Sequence, residues 1–377
     1  MYHLLDRKEK IKLNDLRISE NIIIPYSEEF KYLGVIIDSK LMWNKHIEMV
    51  TEKATAKLWI CMKFFRDKWG AQPKIMHWMY TAIVRPAISY ASIAWWNKTE
   101  EVTVQRKLSS VQRIACVMIT NAFRSTPTSA METLLNLPQL HLFIKKEAKI
   151  TNYTFSIDEN KKIKSYTCRI LNKEQEKDDI LNIPISDKMN TRFNFQPRFK
   201  VIFPSREEWL SNEIKLTGKV FYTDGSKIGN NTGAGVFSED DEIRIYDSLG
   251  NIPTVYQMEL YAIVLCLKEI QKERIEYKNI YIISDSQAAL KSLNKEEITS
   301  KLVWDCIQGL NFLGTKNNIT LMWVPAHNGI EGNEKADALA KKGTELKLHG
   351  PIPFCGISIE IAKNRIKDWL RKGMVEN

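Results

Sequence analysis

From residue 219 onward the chain alternates short apolar runs with amphipathic ones, and four acidic residues stand at fixed points of that alternation. Asp224 lies in Tyr222-Thr223-Asp224-Gly225-Ser226 and Glu259 in Gln257-Met258-Glu259-Leu260-Tyr261-Ala262. Asp285 lies in Ile283-Ser284-Asp285-Ser286-Gln287, and Asp337 in Gly332-Asn333-Glu334-Lys335-Ala336-Asp337. The apolar spacing predicts strands at 220–223, 233–238, 243–249, 280–284 and 319–324, and helices at 258–271, 287–293, 302–313 and 334–342. Three strands, a helix, a strand, two helices, a strand and a helix build an α/β fold, a mixed sheet flanked by helices.

This order suggests how the acids meet. Asp224 and Asp285 both follow apolar strands, at the carboxyl ends where a sheet opens into its binding crevice. Gly225 would permit a sharp turn after Asp224. Glu259 falls in the first turn of its helix and Asp337 in the first turn or two of another, capped by Asn333. Each acid alone has an ordinary reading as a turn, a cap or a solvated charge. All four together form a cage of hard oxygen donors, the ligand type that magnesium prefers over imidazole or thiolate. Two such ions about 3.5–4 Å apart can promote attack on a phosphodiester and stabilise the leaving oxygen. His327 sits between Pro325 and Gly329 in a loop, where a histidine is suited to moving protons or helping product and metal leave.

In their order and contexts these residues resemble a type 1 ribonuclease H over roughly residues 219–347. The resemblance implies a core metal site of Asp224, Glu259 and Asp285, completed by Asp337, with His327 assisting turnover. It implies two Mg²⁺ ions, with Mn²⁺ as an alternative, and cleavage of the RNA strand of an RNA/DNA hybrid. Readout would then depend on 2′-hydroxyls and backbone shape. Asn231, Gln257, Ser286 and Gln287 are polar neighbours of the acids and the candidates for nucleic-acid contact. The family often has Gly and Ser where this chain has Ala326 and Asn328.

A length of 377 residues suits two domains. Net charge is +10 and uneven: residues 1–218 carry +11, residues 219–349 carry −3, and the remainder +2. Basic surface able to hold a polyanion therefore lies mainly outside the acidic constellation. Residues 1–150 read as mainly helical, with helices at 46–69, 73–84, 102–119 and 130–135 and a hairpin pairing the run 21–25 with a strand at 30–38. Residues 151–217 read as a linker or irregular insertion, 218–349 as the acid-bearing domain, and 350–377 as a helical tail. Six scattered cysteines, with no Cys-x-x-Cys pair, read as buried reduced thiols. No apolar run reaches the roughly 18 residues of a membrane span, and the first residues lack the apolar core of a secretory leader, so a soluble intracellular protein is expected.

The runs Phe30-Lys31-Tyr32-Leu33-Gly34-Val35-Ile36-Ile37-Asp38 and Ile83-Val84-Arg85-Pro86-Ala87-Ile88-Ser89-Tyr90 resemble the palm end and thumb of a non-LTR retrotransposon reverse transcriptase. That resemblance covers roughly residues 20–150 and implies a retroelement polyprotein fragment, with a palm and fingers in trans as a conceivable partner. The adjacent aspartates, Asp178-Asp179 and Asp240-Asp241, stand in a charged stretch and a hairpin turn, so polymerase activity is expected to be absent. Residues 294–313 lack the basic handle that some ribonucleases H use to bind substrate. Trp43, Trp69, Trp78, Trp95 and Trp96 read as packing residues rather than base-stacking ones. The alternative functions are a catalytically silent nucleic-acid-binding remnant and, behind it, another nuclease or integrase of the same fold.

Overall fold

The computed structural model describes residues 16–19, 22–24, 26–63, 72–157, 165–183, 186–211, 214–240, 242–276, 278–346 and 355–375. The chain divides into two compact units, Met1–Ser156 with Ile163–Gln175 and Arg365–Asn377, and Glu176–Asn364 with Ile157–Lys162.

The first unit opens with two small antiparallel pairs, β1 (Leu16–Ser19) with β2 (Ile22–Ile24) and β3 (Glu29–Tyr32) with β4 (Val35–Asp38). The run 30–38 is thus not one strand paired with 21–25, because it folds back on itself. Leu33 and Gly34 both take positive φ, 44° and 85°, as a two-residue hairpin turn demands. Asn21 and Pro25 lie outside the described residues. The Asp38 carboxylate accepts the amides of Lys40, Met42 and Trp43, bending the chain into α1 (Asn44–Met62). That helix buries Ile47, Val50, Ala54, Leu58 and Cys61, the face expected from their spacing. The rest of its expected span, 64–69, falls outside the described residues.

After it come α2 (Pro73–Met79), a π-helical turn (Tyr80–Val84), α3 (Arg85–Ile88), α4 (Ser92–Trp95), a 3₁₀ turn (Trp96–Glu100), α5 (Val102–Thr120), α6 (Thr128–Leu134), α7 (Leu140–Ile157) and α8 (Tyr166–Gln175). Their core is centred on Tyr80, Val84, Ile88, Trp95, Trp96, Leu108, Ala115 and Ile144. One polar chain crosses it: the Tyr80 hydroxyl donates to Gln112 at 2.7 Å, and Gln112 donates to Glu132 at 2.6 Å. Trp43, Trp95 and Trp96 pack inside as expected, whereas Trp78 is 61% exposed and Trp69 is outside the described residues.

The second unit contains β5 (Lys188–Phe193), β6 (Phe199–Ile202), α9 (Arg206–Leu210), β7 (Lys219–Ile228), β8 (Asn231–Ser238), β9 (Ile243–Gly250), α10 (Val255–Lys272), β10 (Asn279–Ser284), α11 (Gln287–Leu293), β11 (Glu297–Ser300), α12 (Lys301–Leu313), β12 (Asn318–Trp323) and α13 (Glu331–Gly343). A further helix, α14 (Ile359–Val375), follows. Six strands form one sheet in the order β6-β12-β10-β7-β8-β9. β6, β12, β10 and β7 run parallel to their neighbours, while β7, β8 and β9 form an antiparallel meander, so the sheet is mixed as expected.

Side chains alternate between its faces. Phe221, Ala234, Val236, Ile280, Ile282 and Leu321 join the main core with residues of α10 and α12. Ile283 and Met322 point to the opposite face, into a smaller cluster that includes Val324. The α13 helix lies against β8, where Gly233 and Gly235 leave room for its backbone: a β-carbon on Gly235 would stand 2.3 Å from the Ala336 carbonyl.

Residues 151–217, expected as a linker or irregular insertion, instead carry the end of α7, α8, β5, β6 and α9. β6 is an outer strand of the main sheet, and β5 pairs antiparallel with β11, a strand not foreseen from the sequence. Both are short, and the half-buried Lys-Met and exposed Asn-Thr-Arg-Phe of β5 have no buried alternation to detect. Asp178 accepts the amides of Ile180 and Leu181 in a turn. All six cysteines are buried and free. Among the described residues, no helix is long and apolar enough to cross a membrane.

Candidate metal centre

β7 and β10 are adjacent, and Thr223 stands opposite Ser284 in their register. The next residues are Asp224 and Asp285, which places the two carboxylates side by side. Asp224 is not at a strand end followed by a turn, as expected; β7 continues to Ile228 and pairs Asp224 with Gly235 of β8. Gly225 has a different use from the one foreseen. A β-carbon there would stand 2.3 Å from the Glu259 amide nitrogen and 2.6 Å from the Met258 carbonyl carbon. Its absence lets α10 press onto the strand and bring Glu259 beside Asp224. Glu259 stands one turn further into its helix than expected, because α10 starts at Val255 under a Thr254–Gln257 capping box.

Carboxylate oxygens of Asp224, Glu259 and Asp285 lie within 4.8 Å of one another. Asp224 and Glu259 are buried and Asp285 is half-buried. Burial, reinforced by the charges of Asp285 and Asp337, pushes the Asp224 carboxyl up to about 7. Burial and the neighbouring Asp224 and Asp285 raise Glu259 well above the usual carboxylate range. Asp285 is raised by burial too, opposed by the hydrogen bond that Asn333 donates to it at 3.4 Å. One oxygen of Glu259 is buried and lacks a hydrogen-bond partner among the described residues. Crowded carboxylates with an orphaned oxygen fit a hard divalent cation, which supplies the charge and ligand demand that the protein leaves unmet.

A second group adjoins them. Donor atoms of His327, Glu334 and Asp337 also lie within 4.8 Å of one another. His327 is exposed, in the loop between β12 and α13, with φ 53°. Asp337 lies in the second turn of α13 and pairs with Lys341 at 2.6 Å. The sequence signal for Glu334 is its place one turn before Asp337 on the same helix.

Other expectations change. Asn333 does not cap α13, which begins earlier at Glu331; it is buried and faces Asp285 instead. Gln257 is fully buried, its side chain closing the cap of α10 and donating to the Gly356 carbonyl at 3.1 Å, so it cannot reach nucleic acid. Ser286 caps α11, Gln287 is exposed and accepts from Lys291 at 3.0 Å, and Asn231 is exposed at the start of β8. Trp323 was missed: its indole N–H donates to the Asp285 carbonyl at 3.0 Å.

The RNase H family model matches residues 217–345. A ribonuclease H of Francisella philomiragia is 30% identical over 146 residues, covering 34% of this chain and 91% of that protein. A putative 115 kDa protein in the type-1 retrotransposable element R1DM of Drosophila melanogaster is 26% identical over 122 residues, 32% of this chain. A retrovirus-related Pol polyprotein from the type-1 retrotransposable element R1 4 of Nasonia vitripennis is 28% identical over 124 residues, 33% of this chain. The matches span only 12% and 30% of these two retroelement proteins.

Proposed function

Because the chain belongs, through residues 217–345, to the ribonuclease H family, and its domain is of the retroelement kind, we propose that it is a metal-dependent endonuclease cutting the RNA strand of RNA/DNA hybrids. The observation that carries this reading is the convergence of Asp224, Glu259 and Asp285, with one buried Glu259 oxygen left without a partner. Asp224, Glu259 and Asp285 would hold one Mg²⁺ or Mn²⁺, and Asp337, beside Glu334, would complete a site for a second. Divalent ions held there supply Lewis acidity toward the phosphodiester and acidify the attacking water.

The chain's own residues do the rest. The rigid strands fix Asp224 and Asp285 in register, and the missing side chain at Gly225 sets the approach of Glu259. His327, exposed on a loop beside Asp337, would carry a proton between the leaving oxygen and solvent. Asn231 and Gln287, both exposed, and the half-buried Ser286 are the remaining candidates for contacting the hybrid.

Incubation of the purified chain with a labelled hybrid, duplex RNA and duplex DNA, with Mg²⁺ or with EDTA, tests the proposal beside Asp285→Asn. Mg²⁺-dependent cutting confined to the RNA of the hybrid and lost in the variant is expected. Hybrid binding with no cutting would favour a silent remnant, and cutting of duplex DNA would move the chain to another branch of the fold.

A further inference from the structure

β6, α9 and residues 214–216 precede the family-matched region, yet β6 joins the same sheet. β6 extends the parallel strands alongside β12, and α9 follows under a Ser205–Glu208 capping box. The capping box fixes the start of α9, and Trp209 on that helix reaches the strand ends near the acids. Its indole N–H donates to the Trp323 carbonyl at 2.8 Å, and the Trp323 indole donates in turn to the Asp285 carbonyl at 3.0 Å. Two indoles and two carbonyls therefore run in series from a segment outside the family match to the backbone of a candidate metal ligand.

Trp209 also packs, with Ile214 and Leu216, in the cluster formed by Ile283, Met322, Val324 and Ile330. Val324 and Ile330 stand at the two ends of the loop carrying His327, and Ile330 caps the helix that bears Glu334 and Asp337. One aromatic side chain thus supports Asp285 through Trp323 on one flank. On the other it packs against the cluster that holds Val324 at the start of the His327 loop, against which Ile330 at its end also packs.

We propose that Trp209 is a positioning residue of the nuclease, and that β6 and α9 are a working part of it. Trp209 acts through Trp323 and through the cluster of Ile283, Met322 and Val324. Misplacement of a ligand by about 1 Å, from a change remote from the chemistry, can cost about a hundredfold in rate. The kinetic part of the argument rests on the hybrid-cleaving reading above.

The test uses the full chain with Trp209→Phe, which keeps an aromatic ring but loses the N–H and part of the indole's volume, and Trp209→Ala. Two readouts are taken: kcat and KM for hybrid cleavage, and amide hydrogen exchange with EDTA present in peptides covering 283–287, 324–330 and, as reference, 260–270. The expected result is a kcat lower by about 3–10-fold for Phe and by more than 10-fold for Ala, with KM within twofold. Exchange should quicken at 283–287 and 324–330 while 260–270 stays protected. Unchanged kcat and exchange in both variants would overturn the proposal, and so would quickened exchange spread equally over all three peptides, which marks plain destabilisation. If the unmodified chain does not cleave hybrids, the functional reading fails, and the exchange comparison alone decides the role of Trp209.

Discussion

The amide nitrogen of Glu259 lies 2.3 Å from where a β-carbon on Gly225 would stand. The helix that carries one acid and the strand that carries another are in contact at that point, and the contact exists only because the strand has a glycine there. Gly225→Ala should therefore act on the site as a whole. The obstacle is main chain, which cannot rotate away, so α10 must shift. Overpacking of this kind costs about 1–3 kcal/mol or more. We expect hybrid cleavage to fall by at least about a hundredfold, since a 1 Å displacement alone can do that much. Steady-state kinetics and thermal unfolding check this; wild-type cleavage by the alanine variant would refute the assigned geometry.

Metal and pH should act together on stability. The folded-state pKa values of Asp224, Glu259 and Asp285 are all raised, so the protonated carboxyls are the forms that the metal-free fold prefers. Their contribution to stability is complete below the unfolded values near about 4 and is lost as pH rises through the folded ones, about 7 for Asp224. In EDTA, Tm should decline across that window. Mg²⁺ or Mn²⁺ should restore it, with a larger gain at pH 8 than at pH 5. Equal gains at both pH values would count against these carboxylates as the metal's ligands.

The same repulsion predicts a trade between function and stability. Asp224→Asn removes one charge from a buried, crowded trio while keeping the shape. In EDTA at pH 8 the variant should unfold a few degrees higher than the unmodified chain, and its cleavage should be abolished. A lower Tm would mean that Asp224 is satisfied within the protein and has no need of a cation.

How far this was legible in the sequence depends on the residue. Asp224 and Asp285 could be paired from text alone because each follows an apolar run long enough to be a buried strand, and parallel neighbours put the following residues level. Glu259 and Asp337 sit on helices with clear apolar periodicity. What stayed hidden depends on tertiary contact. Gly225 read as a turn residue because local sequence cannot show a helix pressing on a strand. Gln257 read as a surface amide because its link to Gly356 spans 99 residues. The strand at Phe199–Ile202 is only 4 residues long, too short for alternation to show above a charged background.

Lys341 pairs with Asp337 at 2.6 Å and is about half exposed. Such an exposed pair contributes less than about 1 kcal/mol to folding. It does, however, occupy the carboxylate that a second cation would need. Lys341→Met should leave Tm nearly unchanged and lower the Mg²⁺ concentration for half-maximal cleavage severalfold. An unchanged metal requirement would show that Asp337 is free of Lys341 once the ions arrive.

Gln257 separates a binding role from a structural one. Its amide closes the cap of α10 and bonds to the Gly356 carbonyl from a fully buried position. Replacement by alanine removes the N3 half of the capping box, though Thr254 still accepts the residue-257 amide, and leaves the buried Gly356 carbonyl with only the weak Cys355 thiol, at a cost of about 1–3 kcal/mol. Gln257→Ala should therefore lower the unfolding midpoint in urea clearly while KM for the hybrid stays within about twofold. A raised KM with unchanged stability would return Gln257 to the nucleic-acid interface, and would mean that the capping box opens when substrate binds. The expected outcome follows from burial: the side chain is fully enclosed, its oxygen bonded to Thr254 and its amide nitrogen to Gly356, so a 2′-hydroxyl has no access to it.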